Sequence, residues 1–228
     1  MKLRLIDKFN ISDDVITFVW EPEEELTWQA GQYLHYTLPH DNPDDRGIKR
    51  WFTIAAPPYE GHPRITTRFA GEKGSSFKAT LRELNVGDTI EATPAEGDFT
   101  VDNAERPIVY IAGGIGITPY RAILLQLDHD NVDLKGHLLY ANRTDDYVFK
   151  NELEAVAARH KDFKVSYFTD PRHIELEDIQ AAANELVDPL YYISGPEPMV
   201  EAYKDKLIMA GIAEVDIKLD DFPGYSAI

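Results

Sequence analysis

The spacing of apolar residues changes once along the chain, near Arg106-Pro107, and no other feature limits the possible folds as much. Up to about residue 103 the apolar residues come in short runs: Leu3 to Phe9, Val15 to Trp20, Gln32 to Leu38, Trp51 to Ala55, Arg64 to Phe69, Thr89 to Ala92 and Phe99 to Val101. β-Branched and aromatic side chains in runs of this length suit a pleated surface, and Gly31, Gly47, Gly61, Gly71, Gly87 and Gly97 separate them as turns. The rhythm predicts an antiparallel β-barrel. One helical patch interrupts it, Ser75 to Leu84, with Phe77, Leu81 and Leu84 on one face. Beyond Arg106-Pro107, strands at Ile108–Ala112, His137–Ala141, Phe163–Phe168, Leu190–Ile193 and Val215–Leu219 alternate with helices at Pro119–Leu127, Tyr147–Arg159, Glu177–Leu186 and Pro198–Ala210. Strand, helix, strand without hairpin turns requires crossovers, so this part predicts a doubly wound parallel α/β sheet. The expected division is residues 1–103 and 104–228.

Composition narrows the function. The 228 residues hold 23 basic and 40 acidic side chains, a net charge of −17, which argues against nucleic acid as a ligand. There is no cysteine, which excludes a disulfide scaffold, a thiolate zinc site, an ordinary iron–sulfur cluster and a cysteine nucleophile. No metal site is expected, and redox chemistry has to come from a bound organic cofactor. No apolar run reaches the roughly 18 residues of a membrane span, and Met1-Lys2-Leu3-Arg4 alternates where a signal peptide would be apolar. The chain reads as soluble and cytoplasmic. Against the acidic background, the segment Arg46–Arg82 carries eight basic and two acidic residues. It is either a solvated sheet face or an anion site for a phosphate-bearing cofactor or an acidic partner.

Three motifs carry chemistry. In Ile111-Ala112-Gly113-Gly114-Ile115-Gly116-Ile117-Thr118-Pro119 a buried strand runs into glycines that let the backbone approach an anion, and Thr118-Pro119 suits a helix N-cap and first position. A pyrophosphate suits such a helix end, although a tight strand–helix turn has the same appearance. Ser194-Gly195-Pro196-Glu197-Pro198-Met199 is a second glycine turn at the end of a strand, either a plain turn built from Gly and Pro or one that faces the same crevice beyond the strand ends as the first. In Arg50-Trp51-Phe52-Thr53, strand alternation sends Arg50 and Phe52 to one face and Trp51 and Thr53 to the other.

Taken in order, these motifs resemble the ferredoxin–NADP⁺ reductase-like flavoprotein superfamily over nearly the whole chain. Arg50-Trp51-Phe52-Thr53 is similar to its Arg-x-Tyr/Phe-Ser/Thr flavin signature. Gly74-Ser75-Ser76-Phe77, then Gly87-Asp88 and Pro94-x-x-Gly97-x-Phe99, resemble its second flavin segment and barrel-closing strand. Gly113, Gly114, Gly116, Thr118 and Pro119 resemble its nicotinamide dinucleotide turn, and Gly195-Pro196-x-x-Met199 matches its Gly-Pro-x-x-Met. The resemblance implies FAD as cofactor and NAD(P)H as cosubstrate. It also implies that Arg50 binds the flavin pyrophosphate, with Trp51 beside it in the signature. Phe52 would lie along the flavin, Thr53 near flavin N5, and Gly74, Ser75 and Ser76 would donate to phosphate. Phe222, or failing that Tyr225, would place an aromatic ring where nicotinamide arrives.

The sequence departs from the family at Ser194, where many members carry cysteine, and leaves NADH against NADPH open, since Arg143 suits a 2′-phosphate while Asp145 and Asp146 repel one. The implied activity is hydride transfer between NAD(P)H and FAD, with electrons passing to or from a separate carrier such as ferredoxin or flavodoxin. The competing reading is a non-catalytic flavin- or nucleotide-binding electron-transfer subunit of a larger complex.

Overall fold

The computed structural model describes residues 1–69 and 74–222. It divides into two compact units, Met1–Thr100 and Val101–Ile228.

The first unit is built from β1 (Lys2–Asn10), β2 (Val15–Pro22), β3 (Tyr33–Thr37), β4 (Lys49–Thr53), β5 (Arg64–Arg68), helix α1 (Ser76–Glu83) and β6 (Thr89–Ala92). Its six strands form one antiparallel sheet in the order β4-β3-β6-β1-β2-β5. The Ala55 N–H, just past β4, donates to the Arg64 carbonyl at the start of β5 at 2.9 Å, which ties the two ends of that order together in a barrel-like closure. Leu3, Leu5, Phe18, Trp20, Leu34, Tyr36 and Ile90 fill the interior, and α1 covers it with Phe77 and Leu81. The strand expected at Phe99–Val101 does not form. A single bridge between Tyr33 and Glu96 stands in its region, and Phe99 and Thr100 are buried without joining the sheet.

The second unit contains β7 (Ile108–Gly113), α2 (Thr118–His129), β8 (Gly136–Asn142), α3 (Lys150–Arg159), β9 (Phe163–Thr169), α4 (Leu176–Asn184), β10 (Leu190–Pro196), α5 (Glu197–Met209) and β11 (Ile217–Phe222). All five strands are parallel, in the order β11-β10-β7-β8-β9. The order reverses between β7 and β10, the switch point where open α/β sheets bind ligands. On one face Val109, Ile111, Leu139 and Ile193 pack against Ile179, Ala182, Val200 and Leu207 of α4 and α5. On the other, the rings of Tyr110 and Tyr120 meet at 5.4 Å, and the Tyr120 hydroxyl donates to the Ile111 and Tyr192 carbonyls. β11 starts later and runs further than expected, from Ile217 to Phe222, with residues 214–216 forming a 3-10 turn before it. α3 also starts later, at Lys150, because Phe149 takes a left-handed conformation at φ 64°.

Candidate functional site

In the first unit the alternation of β4 places Arg50 and Phe52 opposite the buried Tyr36 and Leu34, and Trp51 opposite His35. Phe52 packs against Tyr36 and against Phe77 of α1. Trp51 therefore stands apart from Arg50; it is 42% exposed, with its ring 5.8 Å from His35. Thr53 is buried at the end of β4, opposite Tyr33.

The loop between β3 and β4 folds back toward α1. Arg50 donates through Nη1 to the carbonyls of Arg46, Gly47 and Lys49 at 2.9, 3.0 and 2.6 Å, and through Nη2 to Asp44 Oδ1 at 2.7 Å. The other Asp44 oxygen accepts the Ser76 N–H at 2.9 Å, in the first turn of α1. The Ser76 hydroxyl accepts the Asp44 N–H at 2.9 Å and lies 2.9 Å from His40 Nε2. Ser75 caps the helix, its hydroxyl accepting from the Lys78 N–H, and Gly74 is exposed just before it. Burial pushes the Asp44 carboxyl up, but the Ser76 N–H, the Arg50 guanidinium and the Arg46 N–H outweigh it and hold the pKa at about 2. The Arg50 side chain is only 11% exposed, and its Nε is buried with no hydrogen-bond partner among the described residues. A guanidinium with a spare buried N–H beside a helix N-terminus is a donor set for an anion.

Most of the basic segment is otherwise engaged. Arg64 pairs with Glu60 at 3.3 Å, Arg68 with Asp14 at 2.6 Å, and Lys78 Nζ donates to the Arg68 carbonyl at 3.0 Å. Lys49 is exposed, while Lys73 lies outside the described residues. The segment is thus less a free positive surface than its composition suggests.

In the second unit the two glycine turns meet at the switch point. Residues Gly114–Ile117 form a 3-10 turn, and α2 begins at Thr118. Thr118 is therefore a helical residue and not the N-cap; it is buried and its hydroxyl donates to the Ile115 carbonyl at 3.1 Å, and Pro119 occupies the second helical position. Gly116 lies so close to β10 that a Cβ there would sit 2.3 Å from the Ser194 carbonyl oxygen. Gly114 has a different reason: its φ is +54°, and the nearest atom to a Cβ would be Asn142 Oδ1 at 3.9 Å. It is the turn residue with open space before it. Met199 packs between the turns, its sulfur against Gly113 and its methyl against Gly195. Asn142 ends β8 and donates to the Thr144 and Asp146 carbonyls at 3.2 and 2.9 Å, shaping the loop on which Arg143, Asp145 and Asp146 are exposed.

Ser194 is fully buried, and its hydroxyl donates to Asp220 Oδ2 at 3.0 Å across β10 and β11. Two residues further on, Phe222 is in register with Pro196 and half-buried, so it belongs to a strand and not to a tail. Tyr225 lies outside the described residues. Burial raises the Asp220 carboxyl from the ordinary 3.8 to about 7, the Ser194 hydroxyl opposing and Asp221 adding to the rise. Sequence reasoning assigned no role to Asp44 or Asp220. Asp220 had a local signal, an acid two residues before the aromatic Phe222.

The Asp220 shift has a measurable sign. The folded chain holds the proton more tightly than the unfolded chain, so the stability this group contributes is full below about pH 4 and is lost as pH rises through about 7. Asp220→Asn is expected to flatten that loss, gaining up to about 4 kcal/mol over wild type above pH 8. Paired melting curves across pH check it, and parallel curves would refute the assignment.

Residues 110–205 match the family model described as the oxidoreductase NAD-binding domain. A flavohemoprotein of Xylella fastidiosa (strain 9a5c) is 30% identical over 226 residues, spanning 92% of this chain and 56% of the relative. A flavohemoprotein of Pseudomonas putida is 27% identical over 242 residues, 100% of this chain and 60% of the relative. The chain thus spans little more than half the length of these curated relatives. Among solved structures, the cytochrome b5 reductase domain of Ulva prolifera nitrate reductase superposes with a TM-score of 0.81 at 26% identity, covering 96% of each chain. A ferredoxin NADP⁺ reductase from Neisseria gonorrhoeae, solved with FAD and NADP, gives 0.80 at 17% identity over 97% of this chain and 98% of that one.

Proposed function

We propose that this chain is an NAD(P)H-dependent flavin reductase of the ferredoxin–NADP⁺ reductase-like family, holding FAD on its first unit and a nicotinamide nucleotide on its second. One observation carries the reading. Arg50, nearly buried and with an Nε that has no partner among the described residues, converges with the first N–H of α1 on the Asp44 carboxylate, a donor set that suits the pyrophosphate of FAD.

When bound, FAD supplies an acceptor for hydride and a donor of one or two electrons. This chain's residues supply binding and alignment. Arg50 and the Ser75-Ser76 end of α1 hold the phosphates, while Phe52 and Thr53 on β4 stand by the flavin. Gly114 opens the β7 turn to a second pyrophosphate. Gly195-Pro196, with Met199 beneath, forms the neighbouring wall of the switch-point crevice. The strand pairing that sets Phe222 beside Pro196 supports a role for its ring in meeting the nicotinamide. Asp220, tied to Ser194, holds a proton up to near neutrality behind that wall.

A ferredoxin or flavodoxin is the proposed carrier. A haem protein is the second class of acceptor, supported by the name flavohemoprotein shared by curated relatives longer than this chain. Protein loaded with FAD and mixed anaerobically with NADH or NADPH should lose its yellow absorbance. It should then regain it on addition of one of these carriers. Yellow protein that neither nucleotide bleaches would point instead to a non-catalytic electron-transfer subunit. In the same assay Phe222→Ala is expected to change the KM for the nicotinamide nucleotide severalfold with flavin content intact; an unchanged KM would remove Phe222 from the site.

A further inference from the structure

The donors that suit the flavin phosphate already hold an anion that belongs to the chain. Asp44 accepts from Arg50 Nη2 with one oxygen at 2.7 Å and from the α1 N–H of Ser76 with the other at 2.9 Å. These are the two donor types, a guanidinium and a helix N-terminal amide, that a phosphate oxygen pair takes. We propose that Asp44 is an internal competitor for the FAD pyrophosphate, occupying Arg50 and the α1 N-terminus until the phosphate displaces it, and so lowers the affinity for flavin and makes it exchangeable.

The proposal rests on the flavin reading above and goes beyond it. Three features support displacement over coexistence. A carboxylate and a pyrophosphate side by side on one guanidinium repel each other across a few ångströms in a poorly solvated place. The carboxylate stays ionised throughout the neutral range, so protonation does not remove the conflict. Asp44 stands on an irregular loop between β3 and β4 whose residues 41–43, 45 and 46 are exposed, so its side chain can turn away from Arg50 without disturbing the sheet. Arg50 would then exchange one acceptor for another while retaining its bonds to the loop carbonyls, or turn its spare Nε to the ligand.

The test is flavin binding to the whole chain, followed by quenching of flavin fluorescence, with FAD, FMN and riboflavin as probes. Asp44→Asn and Asp44→Ser are compared with wild type, two variants guarding against one that misfolds. Loss of one charge-assisted competitor predicts FAD binding tighter by about tenfold or more, FMN shifting the same way, and riboflavin, which has no phosphate, unchanged. FAD binding that is unchanged or weaker in both variants would overturn the competitor role and leave Asp44 as a residue that orients Arg50. An equal gain for riboflavin would also overturn it, by showing that the loop obstructs the ring and not the phosphate. If wild type and both variants all fail to bind FAD while melting cooperatively, the flavin reading itself falls.

Discussion

Arg50→Ala is expected to weaken FAD binding by about one to two orders of magnitude, because it removes a charge-assisted donor pair worth roughly 1.5–3 kcal/mol from a poorly solvated site. Arg50→Lys should recover only part of the loss. An ammonium restores the charge but not the fork that reaches Asp44 and three loop carbonyls together. The substitution also frees the loop, so a structural contribution has to be separated. Arg50 is one of the groups holding the Asp44 carboxyl at about 2, below the ordinary 3.8. That depressed pKa contributes stability present above about pH 4 and lost as pH falls toward 2, on the order of 2 kcal/mol. Arg50→Ala should therefore melt earlier than wild type at pH 7 by more than it does near pH 2. Gel filtration with FAD, alongside melting curves at both pH values, reads the two effects separately. Full retention of flavin by Arg50→Ala would remove the residue from the site.

Gly116→Ala is expected to damage the second unit strongly. The added methyl would meet only backbone: the Ser194 carbonyl oxygen at 2.3 Å, its carbon at 2.6 Å and Gly195 Cα at 2.7 Å. None of these is the end of a flexible side chain, so the Gly114–Ile117 turn has to separate from β10. The cost is about 2–4 kcal/mol of stability, together with loss of nicotinamide nucleotide affinity. Gly114→Ala makes a contrast. Its Cβ would enter open space, and the left-handed φ costs about 1–2 kcal/mol. It should melt nearer to wild type yet bind the nucleotide worse, because the methyl stands where the ligand's phosphate is proposed. Thermal melts and nucleotide KM values for the pair distinguish packing from approach. Equal melting of both variants would contradict the account of Gly116.

How much of this was legible in the chain differs between elements for physical reasons. The change of period at Arg106-Pro107 is local, and it carried the antiparallel and parallel sheets. The β4 alternation that separates Trp51 from Arg50 and Phe52 was local as well. Thr118 was misplaced because a 3-10 turn over Gly114–Ile117 intervenes between strand and helix, and its two glycines and two isoleucines do not signal such a turn. Phe99–Val101 has the alternation of a strand, but the chain reaches the sheet only through the Tyr33–Glu96 bridge. The basic excess of Arg46–Arg82 looked open to a partner because the carboxylate that neutralises Arg68 comes from β1–β2 loop residue Asp14, far away in sequence. The same distance hid Asp44, whose partner Ser76 is 32 residues on, and Asp220, brought to Ser194 only by the parallel register of β10 and β11. Tertiary pairing, not residue type, brought these acids to the candidate site.

The most direct test of the central claim is a crystal structure of the whole chain grown with FAD. The account predicts pyrophosphate oxygens within hydrogen-bond distance of the Arg50 guanidinium and the Ser76 N–H. A flavin whose phosphates lie away from Arg50, or binding only outside the first unit, would contradict it.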